Sequence, residues 1–533
     1  MLIAAYILSV ILMVILPVAL AAGLRRITPA PWILFSIGAL IFALSQAVHL
    51  PLNEWLADLG WLPGEAETDL PVWRIALTAG LTAGLCEELA RTLGYWLLQR
   101  FRPRWMQLSS SLMLGLGHGG LEAMVFGGVM TAAAISALLP LRGMDLAQLG
   151  LPAEQMEAVG QQLALTTRSP WQAFLPLVER LMAISAHVTL SLMVWKAFAR
   201  QRLRRDWGYI LLAVAYHAAI DYAAVWALAT YPGQQLLYLA GMIALLLPGW
   251  AWALWTIRRT GLPRAQASPL RGELHTFWVA TVKELRQAWR TKRVLVVGAV
   301  FLVFGMFSPL LAKLTPELIG SLEGTEMFAG LIPTPTAADA MVQYLKNLSQ
   351  FGFILAVVLA MGAVAGEKER GIAPLILSKP LSRWAFILSK FTAQSLVYLG
   401  AFGLAAMGAY YYTLFLFGAL EAGSFLLLNG LMWLWILTFV GWGLLGSTLS
   451  KSTVAAGGIG LGLSVLQMLV GSIPRISGML PGGLMTWATQ LGQAAAGLLD
   501  EAVVAQGGAA AGALAIIVMS LVLAVGAFEQ QEI

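Results

Sequence analysis

The chain has 533 residues, 59% of them hydrophobic and only 11% charged, with a mean hydropathy of +0.77. Soluble domains are about 45–50% apolar and about 25% charged, so a mainly soluble protein, a disordered chain and a coiled coil are all excluded. One cysteine, Cys86, excludes a disulfide framework and a cysteine-rich metal site, and a net charge of +6 matters less than where the basic residues lie.

Apolar runs of about 18 residues or more read as membrane-spanning helices. The chain offers about thirteen, at 2–23, 32–50, 75–98, 108–139, 171–198, 207–230, 234–256, 294–312, 349–366, 385–416, 424–449, 453–473 and 507–527. The expected fold is therefore an all-α polytopic membrane protein. The first run lacks a basic flank and a small-residue cleavage signal, and reads as a retained helix and not a signal peptide.

Basic residues follow the odd-numbered spans: Arg25 and Arg26, then Arg100, Arg102 and Arg104, then Arg200, Arg202, Arg204 and Arg205, then Arg258 and Arg259, then Lys368, Arg370, Lys379 and Arg383. Only Arg74, Arg142, Arg168, Lys313, Lys346 and Arg475 fall on the opposite side, and Arg91 and Arg180 lie inside spans. The positive-inside rule then places the N-terminus outside and the C-terminus, Phe528 to Ile533, in the cytoplasm. With the basic residues committed to orientation, a lipid bilayer is the expected partner and nucleic acid is not.

The polar segment Arg258–His275 reads as a cytoplasmic linker. It separates a seven-span domain, 1–257, from a six-span domain, 276–533. Charge divides them sharply. The first half carries Glu87, Glu88, Arg91, Glu122, Glu179, Arg180 and Asp221 within spans, with His118, His187 and His217; the second half is expected to bury no ionisable residue within its spans. A charge at mid-bilayer costs at least about 2.5–3.5 kcal/mol on insertion scales, so the first half is expected to hold a polar reaction or transport site.

Depth and periodicity strengthen that expectation. At 1.5 Å per residue, Glu87 and Glu88, His118 and Glu122, His187, and His217 and Asp221 all fall in one layer. His118–Glu122 and His217–Asp221 are i,i+4 pairs, and Arg91 can pair with Glu87 at i,i+4 or Glu88 at i,i+3. Preference for the i,i+4 pair would leave Glu88 as the general base. A carboxylate in such a pocket can activate water, and histidines can donate to an oxyanion. His118, His187 and His217 with Glu122 would equally suit zinc, although no HExxH motif is present. His49 reads as interfacial, and Cys86 as a small core residue.

At CEELARTLGY, GLGHGGLEA, the Glu179–Arg180…His187 pattern and YHAAIDY, the chain resembles the YhfC family of intramembrane proteases. These are distant relatives of the CAAX prenyl and bacteriocin-processing membrane peptidases. The resemblance covers roughly residues 1–257. It implies catalytic roles for Glu87, Glu88, Arg91, His118, His187, His217 and Asp221, supported by Glu122, Glu179 and Arg180. Two features depart from the wider superfamily: EExxR stands in place of EExxxR, and Asp221 stands where an Asn is usual.

In the second half, residues 276–293 alternate Phe277, Trp278, Val282, Leu285 and Trp289 with Lys283, Arg286, Arg290 and Lys292 at helical spacing, as an interfacial amphipathic helix does. A charged turn, GEKERG, then precedes LSKPLSRWAFILSKF. These two motifs, with the loop at 313–348, resemble six-helix, NatB-like ABC exporter permeases. The resemblance implies that Glu367, Glu369, Arg370 and Gly371 contact a cytoplasmic ATPase, and that a homodimer or a second permease completes the transporter. No GxxxxGK[ST] phosphate loop occurs, so ATP would act only through that separate subunit.

The joint expectation is a prokaryotic plasma-membrane exporter fused to a peptidase, which processes or exports a peptide or amphipathic substrate. The alternatives are a permease with a noncatalytic accessory or sensor domain, and a proton or cation pathway through the buried carboxylates.

Overall fold

A computed structural model of the protein describes residues 1–63, 70–142, 169–199, 206–263, 270–320, 334–499 and 503–532, with 156, 159, 160 and 163. The expected cluster Arg200–Arg205, Arg168, and parts of the linker and of the 313–348 loop lie outside the described residues. Among the described residues every regular element is helical.

Two compact units divide the chain, Met1–Gly128 with Arg168–Ala267, and Val129–Thr167 with Ser268–Ile533. The main division falls inside the expected linker, but residues 129–167 group with the second unit and not with the first. The helix after residue 129 shows why: within the second unit, the Gly507 N–H donates to Ser136 Oγ at 2.9 Å.

The first unit contains α1 (Leu2–Ile27), α2 (Ile33–Asp58), α3 (Val72–Phe101), α4 (Leu108–Glu122), α6 (Leu175–Ala199), α7 (Gly208–Thr230) and α8 (Gln235–Thr260). A π-helical stretch, Ala123–Val129, leads from α4 to α5 (Met130–Leu138). Among the described residues, twelve helices are long and apolar enough to cross a membrane. The thirteenth expected span is α3, 30 residues long, with Glu87, Glu88 and Arg91 buried in its middle. Its length suits a bilayer, and its charge separates it from the others.

Small residues let α4 approach its neighbours closely, as membrane helices require. A Cβ on Gly117 would run into the Phe35 carbonyl of α2, and one on Gly119 would lie 2.9 Å from the Ile184 Cα of α6. His118 is thereby pressed between two helices and is fully buried.

The second unit holds an amphipathic helix α9 (Leu270–Arg290), then α10 (Arg293–Gly320), α11 (Ala337–Met361), two short helices α12 (Ala365–Glu369) and α13 (Ile372–Leu377), and α14 (Arg383–Phe417), α15 (Ala422–Leu449), α16 (Thr453–Gly471), α17 (Gly482–Ala495) and α18 (Gly507–Glu529). Caps explain several starts. Thr336 and Asp339 form a capping box before α11, and Glu421 accepts from the Gly423 and Ser424 N–H groups at 2.7 and 2.6 Å to open α15. α9 extends over the expected amphipathic segment and leaves Trp278, Val282 and Trp289 exposed.

The charged turn differs from its expected role at one residue. Glu367 is only 2% exposed and faces inward. Its Oε1 meets Lys283 Nζ at 2.9 Å and its Oε2 meets Lys390 Nζ at 2.8 Å; Glu284 Oε1 lies 2.8 Å from each of the same two lysines. Two residues on, Glu369 receives the Thr453 hydroxyl at 2.7 Å. Glu367 is therefore not an exposed docking contact, and with Lys390, 1% exposed, it overturns the expectation that the second half buries no ionisable residue. Arg370 and Gly371 are exposed. Gly371 sits at φ +66°, a left-handed turn that glycine adopts without strain, and it throws α13 outward.

The candidate histidine–carboxylate site

Four helices of the first unit bring the buried charges together. On α3, Glu88 Oε1 accepts from Arg91 Nη1 at 2.6 Å and from His217 Nδ1 of α7 at 2.8 Å. Arg91 thus pairs with Glu88 at i,i+3, not with Glu87 at i,i+4, and the preference for Glu88 as the freer carboxylate is overturned. Glu87 instead turns toward a cavity of about 320 Å³.

Glu87 Oε2 accepts from His118 Nε2 of α4 at 2.9 Å and lies 3.9 Å from His217 Nε2. Arg91 Nη2 donates to His187 Nδ1 of α6 at 2.9 Å. A guanidinium only donates, so His187 carries its proton on Nε2, which meets Glu122 Oε2 at 2.5 Å. Arg180 bridges Glu122 Oε1 at 3.0 Å and Glu179 Oε1 at 2.8 Å, and the Tyr238 hydroxyl donates to the same Glu179 oxygen at 3.2 Å. The rings of His118 and His187 lie 4.6 Å apart, and those of His187 and His217 5.2 Å apart.

Asp221 also lines the cavity, 3.7 Å from His217 Nε2. Met182, Ala186, Leu190, Ile220 and Leu246 give the same cavity an apolar wall. An apolar chamber with a few convergent polar groups is the usual shape of a ligand site.

Two residues here carried no functional expectation. Gln46 of α2 donates from Nε2 to Glu87 Oε1 at 2.9 Å, and His49, read from sequence as interfacial, lines the cavity one turn away. The available signal was Gln46, His49 and Asn53 recurring on one face of an otherwise apolar helix. Cys86 is half-buried.

Glu87, His187 and His217 offer ligand atoms within 4.8 Å of one another. One carboxylate and two imidazoles make a donor set of the kind that holds catalytic zinc with a position left open. His217 fits best, because its Nδ1 proton is taken by Glu88 and its Nε2 lone pair is free, the usual carboxylate support of a zinc-bound histidine. His187 fits only once its Nε2 leaves Glu122 and its Nδ1 leaves Arg91, so that the ring proton can move to Nδ1 and free Nε2 for a metal. Of the four expected zinc ligands, His187 and His217 belong to this set. His118 and Glu122 pair with its members instead.

Together these elements define a multi-pass membrane protein with a buried histidine–carboxylate centre. Residues 12–245 match the YhfC intramembrane metalloprotease family, and residues 278–532 match the ABC-2 family transporter protein. The chain is 30% identical over 185 residues, 34% of its own length and 71% of the relative's, to the uncharacterized transmembrane protein YxlG of Bacillus subtilis (strain 168). It is 28% identical over 215 residues, 40% of its length and 79% of the relative's, to the uncharacterized membrane protein YhfC of the same organism. No solved structure matches the chain. The chain therefore belongs to both families, a YhfC domain followed in one polypeptide by an ABC-2 transporter membrane domain. A transporter domain of this class works in membrane transport with an ABC ATPase.

Proposed function

We infer that the first unit hydrolyses peptide bonds inside the membrane and that the second exports a peptide or amphipathic substrate as the permease of an ABC transporter. The observation that carries the first part is the convergence of Glu87, His187 and His217 on one cavity with an apolar wall. Glu87, His187 and His217 would hold zinc. Zinc there would polarise a carbonyl and activate water. The apolar wall receives the side chains of an unwound membrane segment and excludes bulk water. Asp221, on the same cavity, accepts the proton that water gives up. Glu88 fixes the ring of His217 from behind, and Arg91 in turn holds Glu88.

One feature favours a second reading. Arg91 and Glu122 together engage both nitrogens of His187, which leaves Glu87 with His118 as a metal-free acid–base pair. Chelation separates the two: cleavage of single-span peptides by the full-length protein that stops with strong chelator and returns with zinc supports the metal reading. Cleavage that survives complete zinc removal supports the glutamate reading.

The orientation proposed for the chain has the N-terminus outside, which places α12 and α13 in the cytoplasm. Reporter fusions at Gly60, Gly261 and Gly418 are expected to read outside, inside and outside; an inside signal at Gly60 would reverse it. The ATPase then docks on the exposed α13, where Leu375 is 69% exposed. A second permease copy would complete the transporter. Leu375→Glu is expected to reduce ATPase copurification at least about tenfold, the loss of roughly 1.4 kcal/mol, with the permease still folded. Unchanged copurification would move the docking surface elsewhere.

A further inference from the structure

On α2 the side chains of Asn53, His49 and Gln46 form a chain of hydrogen bonds with a fixed direction. Asn53 Nδ2 donates to His49 Nε2 at 3.0 Å. The His49 proton is therefore on Nδ1, which donates to Gln46 Oε1 at 3.3 Å. An amide has one acceptor end and one donor end. With its oxygen committed to His49, Gln46 presents its NH₂ to Glu87, and Nε2 reaches Glu87 Oε1 at 2.9 Å. Thr82 Oγ1, on the same helix as Glu87, lies 3.2 Å from His49 Nε2, while its hydroxyl donates to the Ala79 carbonyl at 3.1 Å. Gln46 is itself buried in a helix whose neighbouring residues are mostly apolar.

The consequence falls on Glu87. One of its oxygens is held by Gln46 and the other faces His118 and His217. Without Gln46 the carboxylate could rotate away from the histidines, or turn either oxygen toward them. We propose that Gln46, oriented by His49, is a positioning residue that sets the Glu87 carboxylate as a ligand of the metal centre. The proposal rests on the metal reading of the site. Partners that orient a metal ligand are typically worth 10–100-fold in metal affinity.

The test uses the purified full-length protein in nanodiscs and zinc alone, titrated against a competing chelator. Gln46→Met keeps the length and volume of the side chain and removes the amide. Its zinc affinity is expected to fall about 10–100-fold, and the visible absorption of the cobalt-substituted protein to shift as the carboxylate changes its ligation. His49→Leu is expected to change both in the same direction by less, because the amide of Gln46 remains in place but free to flip; it reads the proposal independently if Gln46→Met does not fold. Leu34→Ala, a buried apolar truncation in the same helix, is expected to lower thermal stability and leave zinc affinity and the cobalt spectrum unchanged. Wild-type affinity and spectrum in Gln46→Met, or an equal loss in Leu34→Ala, would overturn the positioning role alone. A wild-type protein that takes up no zinc would overturn it together with the metal reading on which it rests.

Discussion

Glu87→Gln is expected to remove cleavage of membrane peptides by at least about 100-fold while the protein stays folded. Of the two neighbouring carboxylates on α3, Glu87 is the one that faces the cavity, with His118 at 2.9 Å and His217 at 3.9 Å. Glutamine preserves its shape but neither binds a cation well nor accepts a proton. Loss of a single general acid or base, or of a metal ligand, removes about 10²–10⁴ in rate. His217→Ala should act as severely, since it deletes the imidazole that links Glu88 to the cavity. Glu88→Gln should differ in kind. Glu88 is wholly buried and is the partner of Arg91, so neutralising it leaves a guanidinium without its counter-charge. That variant is expected to lose folded protein as well as activity. The measurement is turnover of an identified peptide, normalised to monodisperse protein. Full cleavage by Glu87→Gln would refute the assignment of Glu87.

Glu367→Ala is expected to destabilise the second unit by about 3–5 kcal/mol, as removal of one member of a buried ion pair does. Glu367 and Lys390 are both nearly inaccessible, and Lys390 would be left with Glu284 alone. The double variant Glu367→Leu with Lys390→Met should recover most of that loss, because neither charge then remains buried without its partner. Burial alone would raise the Glu284 carboxyl, but Lys390 and Lys283 outweigh it and hold it below its ordinary value. A depressed carboxylate contributes stability above the ordinary carboxylate range and loses it as pH falls through the depressed value. The network should therefore weaken on acidification and not at alkaline pH near neutrality. Unfolding midpoints in detergent, with ATPase copurification alongside, decide it. A single variant as stable as the wild type would show that the four charges do not act as one buried unit.

The spans were legible because apolar length survives any packing arrangement, and the site was legible because buried charge is costly wherever it occurs. α3 shows both effects at once: its length marks a span, and the buried Glu87, Glu88 and Arg91 mark the candidate site on it. The choice of partner was not legible. Both i,i+3 and i,i+4 reach are open to Arg91, and the selection of Glu88 comes from His217 on another helix. Glu367 and Glu369 look alike in sequence, yet two positions along a helix point in nearly opposite directions, and only one of them faces Lys283 and Lys390. Gln46 lacks a formal charge, so it raises no alarm in a hydropathy reading. Its importance depends on Glu87 lying across from it. The grouping of residues 129–167 with the second unit likewise depends on a distant contact, between Ser136 and Gly507.

The segment around Phe528 is clasped to the start of α14. Arg383 Nη1 donates to the Phe528 carbonyl and, at 2.7 Å, to that of Gln531, and the rings of Phe386 and Phe528 stack 4.9 Å apart. Phe528 follows Arg383 by 145 residues. At typical translation rates of about 5–20 residues per second, Arg383 waits roughly 7–30 s on the ribosome before its partner is made. The clasp thus works as a completion mark. Until α18 has been synthesised and inserted, the start of α14 lacks the carbonyls of Phe528 and Gln531 that seat Arg383.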